Sequence, residues 1–245
     1  MKAIILAAGR GSRMRDMTDA KPKCLVELHG EPLLHHQLRS LQEAGIGKIA
    51  IVTGYHCKML QGYGDRQFHN PRWATTNMVS SLAIASEWLR AGPCIVSYSD
   101  IFYEPGAVRL LMASDAPLAI VYDPKWEHLW RDRFGDPLLD AETFKLANNG
   151  VLTEIGGKPE TINEIEGQYM GLLRFTPRAW EDIDAMRRAL PNQNQDTLDM
   201  TSALQGTIDR GNISVTAIPY RGAWGEIDSQ EDLLVYQSGG IGRRG

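Results

Sequence analysis

The sequence is poor in the features that most readily announce a function. Its 245 residues include only three cysteines, Cys24, Cys57 and Cys94, with no C-x-x-C pair, which argues against a disulfide framework and suits reduced thiols in a cytosolic enzyme. Cys94 opens an apolar run and reads as buried filler rather than as a nucleophile. The six histidines lack metal-binding spacing, since His35 and His36 are adjacent and would point in different directions on a helix. Basic residues do not dominate: the formal charge of −4 leaves no cationic footprint for a nucleic-acid polymer. Long apolar runs are missing too. The N-terminal MKAIILAAG has one lysine and a seven-residue apolar run, too short for a signal peptide or a bilayer span, so a cytoplasmic protein without a membrane partner is expected. There is no internal repeat and no low-complexity segment.

What is present is an alternation. Unbroken apolar runs at Lys2 to Ala8, Lys48 to Gly54, Cys94 to Asp100 and Leu118 to Asp123 read as strands covered on both faces, as in a parallel sheet. Between them lie helical patterns at Glu31 to Gly45, Asn77 to Leu89 and Glu104 to Ala113. The order predicts an α/β fold with a Rossmann-like, doubly wound, mostly parallel sheet. After Asp123 the rhythm changes. A Trp-, Arg- and Asp-rich segment precedes a hairpin, TFKLA-NNG-VLTEIGG, turning at Asn149-Gly150, and then an extended run from Gly167 to Phe175. Pro124 to about Phe175 is therefore expected to be a small β-containing insert lying over the active-site cleft. Helices resume at Pro177 to Leu190 and Thr197 to Asp209, with a strand at Ile213 to Tyr220 and a last helix near Gln230 to Gln237. The expectation is one domain over 1–237 and a frayed tail over 238–245.

The first strand runs into Gly9-Arg10-Gly11-Ser12-Arg13. Small residues there leave backbone N–H groups open to phosphate oxygens. Neither familiar glycine-rich pattern fits, because Met14 stands where the dinucleotide fingerprint has its third glycine and no G-K-[ST] follows. The second strand also ends in VTGY, without an acid for a ribose hydroxyl, which argues against a nicotinamide-dependent dehydrogenase. Arg13 offers a fork-shaped cation and Lys23, after Pro22, a point charge. Asp100 closes the third strong strand at the edge where open α/β sheets bind ligands. Glu226 and Asp228 lie two apart in WGEIDSQEDL, on one face of an extended segment, whereas Ser229, Glu231 and Asp232 read as a helix cap.

In combination, L-A-A-G-x-G-S-R, the Pro22-Lys23 pair, SYSD and W-x-E-I-D resemble the nucleotidyltransferase superfamily, whose members join a nucleoside triphosphate to a phosphorylated sugar or alcohol. The resemblance implies that Leu6, Ala7, Ala8, Gly9, Gly11 and Ser12 bind the nucleotide. It implies that Arg13 and Lys23 are catalytic cations, and that Asp100, Glu226 and Asp228 hold Mg²⁺. TTNMVSSL, from Thr75 to Leu82, resembles the cytidylyltransferases of phosphocholine and related small alcohols or phosphonates, adding Asn77, Met78 and Ser81 to the nucleotide site. W-x-x-L-W-x-x-R-F, D-P-L-x-D-A-E-T-F and G-Q-Y-M-G-L resemble a subgroup of that branch and imply acceptor contacts from Trp130, Arg133, Asp136, Glu142, Gln168 and Tyr169.

Two acceptor chemistries stay open at this stage. Trp126 and Trp130 could face a quaternary ammonium, although an i, i+4 pair is more often a core stripe. Arg131 and Arg133 point instead to a carboxylate or further phosphate oxygen. The implied reaction transfers CMP from CTP to a small phosphorylated or phosphonate acceptor and releases pyrophosphate. Rival readings are a sugar-1-phosphate nucleotidyltransferase using UTP, GTP or dTTP, and a non-catalytic nucleotide-binding module. A homodimer is compatible with the sequence and not required by it.

Overall fold

A computed structural model describes residues 1–239. β1 (Lys2–Ala7), β4 (Lys48–Thr53), β6 (Cys94–Tyr98) and β8 (Leu118–Asp123) fall on the four apolar runs and are almost wholly buried. They join β5 (Arg66–His69), β11 (Gln168–Phe175) and β12 (Val215–Pro219) in a seven-stranded sheet of order β12-β8-β11-β6-β1-β4-β5. β11 runs antiparallel to both neighbours, and the other pairings are parallel. The sheet reverses direction of winding at β1, where the glycine-rich loop leaves it. That is the crevice in which open α/β sheets bind ligands.

α1 (Leu33–Glu43), α4 (Pro105–Met112), α6 (Pro177–Ala189), α8 (Met200–Arg210) and α9 (Gln230–Gly239) follow the expected helical patterns, with Pro105 and Pro177 in first turns. The stretch Asn77 to Leu89 differs from expectation. It divides into α2 (Met78–Ala83) and α3 (Ser86–Ala91), because the Ser86 hydroxyl donates to the Ala83 carbonyl at 2.7 Å and Ala85 N–H reaches only back to Leu82. Likewise α8 starts at Met200, capped by Asp199, after a separate α7 (Asn192–Thr197).

The insert is shorter than the sequence suggests. β11 is an interior strand of the main sheet, so only the chain between β8 and β11 stands outside it. That chain holds α5 (Trp126–Phe134) and the hairpin of β9 (Phe144–Leu146) and β10 (Leu152–Ile155). A continuous apolar run cannot distinguish a parallel from an antiparallel interior strand, which is why β11 was grouped with the hairpin before it. β5 was not foreseen because RQFH buries only Phe68. Residues 238 and 239, placed in a frayed tail by sequence, belong to α9; the remainder of that tail lies outside the described residues.

Two small ladders complete the crevice. β2 (Glu27–Leu28) pairs with β3 (Glu31–Pro32), and β7 (Ile101–Tyr103) pairs antiparallel with β13 (Trp224–Glu226). The register of β11 against β8 shifts between Tyr169 and Leu173, and Gly171 within that irregularity has φ +72°. A Cβ there would lie 2.7 Å from the Tyr98 ring. Gly171→Ala should therefore lower unfolding stability by about 2 kcal/mol, from left-handed strain together with displacement of Tyr98. Urea titration checks this, and a shift within about 0.5 kcal/mol would refute the role given to this glycine.

Candidate active site

The site begins with one lysine. β1 ends at Ala7, and the chain turns through Gly11, which has φ +71°. A Cβ on Gly11 would sit 2.6 Å from Lys23 Cδ and 2.7 Å from its Cβ, so only glycine lets the lysine stem cross the loop. Met14 N–H and the Thr18 hydroxyl then both donate to the Gly11 carbonyl, at 3.0 and 3.1 Å, and fold the loop onto itself. Lys23 emerges buried, 6% exposed, at the start of a short 3-10 turn after Pro22.

Its ammonium donates to Asp100 Oδ2 at 2.8 Å and to Asp228 Oδ1. Arg13 approaches the other oxygen of Asp228 at 3.0 Å from the solvent side. Burial by itself would lower the Lys23 pKa, but Asp100 and Asp228 outweigh it and hold the ammonium above its ordinary value. The two carboxylates are 128 positions apart in sequence, and the β7–β13 ladder unites them. Glu226 pairs with Ile101, and Ile227 N–H donates to the Asp100 carbonyl at 2.9 Å. Gln37, fully buried on α1, fixes the same turn by donating to the Tyr98 and Ile101 carbonyls, both at 2.6 Å.

Asp100, Glu226 and Asp228 each offer a carboxylate oxygen within 4.8 Å of the others. Burial, with Asp228 beside it and Arg133 opposing, pushes Glu226 up to about 8. Asp100 Oδ1 is buried with no hydrogen-bond partner. Three crowded hard oxygen donors, one of them orphaned, fit a divalent cation such as Mg²⁺. Asp232 supports the cluster from behind, accepting from the N–H groups of Asp228 and Ser229, both at 2.9 Å, while its own N–H donates to Ser229 Oγ. The expected helix cap is therefore formed by Ser229 and Asp232, and Glu231 is exposed.

Two cavities flank this cluster. The first, about 310 Å³, lies over the loop and is lined by Leu6, Ala8, Gly9, Gly11, Ser12 and Lys23, and across from them by Asn77, Met78 and Ser81. Ala7 does not reach it, since side chains alternate along a strand and Ala7 is buried on the opposite face. Asn77 caps α2 by accepting from Met78 N–H at 2.7 Å and ties it to the Thr197 carbonyl. Trp73 and Thr76 also line this cavity and were not foreseen; Gly54, where a Cβ would meet Ala8 O and Trp73 Cβ at 2.5 Å, brings the indole close to the loop.

The second cavity, about 340 Å³, opens beyond the carboxylates. Glu142, Gln168 and Tyr169 line it as expected. Trp130 and Arg133 do not, and Asp136 is exposed elsewhere, capping a turn at Leu138. Trp130 is fully buried among Trp126, Phe134 and Trp224, which is the core-stripe outcome of an i, i+4 aromatic pair. Arg133 is inward-facing, bonded to Asp232 at 2.7 and 3.2 Å and to Glu226 at 3.2 Å, so it orients the acidic cluster. Arg131 pairs with Glu127 on the surface. Asp140, Tyr98 and Asp199 line the cavity in place of the residues that turned away. The D-A-E spacing of Asp140 and Glu142 was the available signal for the first of these.

Comparison with known proteins agrees with this geometry. A model of the MobA-like NTP transferase domain matches residues 3–188. CTP:phosphoglutamine cytidylyltransferase of Campylobacter jejuni is 37% identical over 251 aligned positions, covering 96% of this chain and 98% of that protein. N-acetylmuramate alpha-1-phosphate uridylyltransferase of Neisseria meningitidis is 53% identical over 194 positions, covering 76% and 79%. The solved CTP:phosphocholine cytidylyltransferase of Streptococcus pneumoniae shares the fold, with a TM-score of 0.71 over 97% of both chains at 21% identity. With its loop lysine set between two aspartates and a cavity on either side, the chain belongs to the MobA-like NTP transferase family and is a nucleotidyltransferase.

Proposed function

We propose that the protein is a Mg²⁺-dependent cytidylyltransferase that joins CTP to a small acceptor bearing a phosphate or phosphonate. The observation that carries this reading is the meeting of two cavities at one cationic and acidic centre. Arg13, Met78 and Tyr98 line both cavities, and Lys23 with Asp100 lies where the first meets Asp228 and Glu226 of the second. Two anionic substrates brought to such a centre from opposite sides can react in line. The full-length likeness to an enzyme named for CTP and phosphoglutamine supports both substrate classes.

In this reading the triphosphate lies along the backbone N–H groups of the Gly9 to Ser12 loop. An acceptor oxygen attacks the α-phosphorus, the new P–O bond forms, and the bond to the β-phosphate oxygen breaks to release pyrophosphate. No general base is needed, because the second pKa of a phosphomonoester is about 6 and the nucleophile is already ionised near neutrality. Asp100, Glu226 and Asp228 would hold Mg²⁺, which supplies positive charge to the phosphates. Lys23 neutralises the α-phosphate and the incoming oxygen, and Arg13 the departing pyrophosphate. The segment between β8 and β11 acts as the acceptor lid, bringing Asp140 and Glu142 to the second cavity. Among the described residues no helix is long and apolar enough to cross a membrane, and a cytoplasmic setting is part of the same proposal.

A second reading, transfer to a sugar 1-phosphate, is favoured by the Neisseria relative and by the breadth of hydroxyl-bearing groups that carboxylates can bind. Lys23→Met and Asp228→Asn should each reduce pyrophosphate release at least about 100-fold in protein that circular dichroism shows to be folded, with melting lowered by the loss of one member of the buried charge group. Folded variants with near-normal turnover would remove both residues from the chemistry. Calorimetric titration with CTP, UTP, GTP and dTTP should show CTP bound most tightly; tighter UTP binding together with turnover of sugar 1-phosphates would establish the second reading instead.

A further inference from the structure

Trp73 stands apart from the other tryptophans. Of the six in the chain, Trp88, Trp126, Trp130, Trp180 and Trp224 are buried, whereas Trp73 is partly exposed and lines the cavity over the glycine-rich loop. An indole kept half in water leaves apolar surface uncovered, so its place beside a cavity suits a ligand that covers it. The turn that carries it, between β5 and α2, is built on Asn70, which is 2% exposed. Asn70 accepts from Arg72 N–H at 2.9 Å and donates to Thr76 Oγ1 at 2.9 Å and to Ser81 Oγ at 3.0 Å.

The indole is also fixed against the loop. The Gly54 backbone passes so close that a Cβ there would lie 2.8 Å from Trp73 Cγ. The Tyr55 ring follows, 5.1 Å from the indole and inclined at 61°. Tyr55 is itself pinned, its N–H donating to the Ala8 carbonyl at 2.9 Å and its hydroxyl to the Asp19 carbonyl at 2.7 Å. Arg10, paired with Asp19, lies over the Tyr55 ring at 5.9 Å. Ala8, Arg10 and Asp19 all belong to the loop or the turn after it, so Trp73 and the loop are held as one wall.

Polar side chains beside Trp73 are already committed to the fold. Thr76 Oγ1 donates to the Arg72 carbonyl at 2.9 Å, and both Thr76 and Ser81 accept from Asn70. Asn77 accepts from Met78 N–H and donates to the Thr197 carbonyl at 3.2 Å. Charge reaches this cavity from Arg13, Lys23 and Asp100, and among the described residues none of these bonds to the turn that carries Trp73. A nucleotide whose phosphates meet the charged groups therefore finds an aromatic surface for its remaining part.

Building on the cytidylyltransferase reading, we propose that Trp73 is the residue on which the nucleobase stacks. Its ring supplies affinity through the π-face that every base presents, so it holds the nucleoside without choosing among bases. Gly54 and Tyr55 act through it as positioning residues that keep the indole in register with the loop.

The test reads binding rather than turnover, on the intact protein with Mg²⁺. CTP should quench tryptophan emission in the wild type, and Trp73→Phe should bind CTP within about 3-fold of wild type while losing most of the quench. Trp73→Leu, apolar but without a flat ring, should weaken CTP and UTP by a similar factor, about 10-fold or more. Inorganic tripolyphosphate, which has no base, should bind all three proteins alike. A general loss of packing would instead affect the Phe and Leu variants together and the tripolyphosphate as well. Equal affinities of the two variants for CTP, a quench that survives Trp73→Phe, or an equal loss for tripolyphosphate would overturn the proposal. Failure of the cytidylyltransferase reading looks different: UTP is then bound more tightly than CTP and transferred in its place, with the difference between the Phe and Leu variants intact for both nucleotides.

Discussion

Everything at the catalytic end of this fold depends on placing the Lys23 ammonium between the carboxylates of Asp100 and Asp228. Two like charges so close repel strongly in a partly buried setting, and one ammonium offsets both. The arrangement constrains the loop in turn. Gly11 must lack a side chain so that the lysine stem can pass, and the loop must curl onto the Gly11 carbonyl for the backbone N–H groups to face the crevice. The glycine-rich loop and the charge centre are thus one structural unit. Removing one member of such a buried group typically costs about 3–5 kcal/mol, because the partner charge is left without compensation.

The surrounding structure holds this unit from behind. The short β7–β13 ladder aligns Glu226 with Ile101 and brings two distant acidic segments to one point. Arg133 and Asp232 form a second, fully interior ion pair that meets Glu226, while Gln37 clamps the turn carrying Asp100. Burial alone would lower the Arg133 pKa, but its bonds to Asp232 raise it, so the guanidinium remains a fixed charge at the back of the cluster. The aromatic cluster of Trp126, Trp130 and Trp224 supplies packing for the same wall, with Trp224 Nε1 donating to Asp123 at 2.9 Å. Residues that look like ligand contacts by type are here the frame on which ligand contacts are mounted.

In the proposed reaction the two cavities divide the work of a two-substrate enzyme. On the loop side the lining is backbone, small residues and the capped start of α2, suited to phosphates and a nucleoside. On the other side it is carboxylates and phenols drawn from the segment outside the sheet, from β11 and from α8. Both walls use elements beyond the sheet, the first the glycine-rich loop and α2, the second the segment between β8 and β11. Variation of acceptor among relatives that share the fold is physically reasonable where the outer segment changes around Asp140 and Glu142 while Arg133 of α5 keeps its bonds to Asp232 and Glu226.

Much of this was legible in the sequence. Continuous apolar runs identified four buried strands, because a strand covered on both faces has no polar side to show. The loop glycines, Asp100 and the Glu226-Asp228 pair stood out because each combines a residue type with a strand end, and Lys23 because it closes the Pro22-Lys23 pair of the resembled motif. The sequence could not say which way Trp130 and Arg133 face, since a tryptophan and an arginine on a helix suit either a core or a ligand until the partners are known. Asp232 and Trp224 decided that question from 99 and 94 positions away. Nor could an apolar run announce that β11 lies antiparallel inside the sheet, because pairing direction is a property of neighbours. By itself the sequence determined the chemical inventory and where along the chain it lies. Only the tertiary structure decided which charges neutralise one another and which remain to meet a substrate, because electrostatic pairing depends on distance in space.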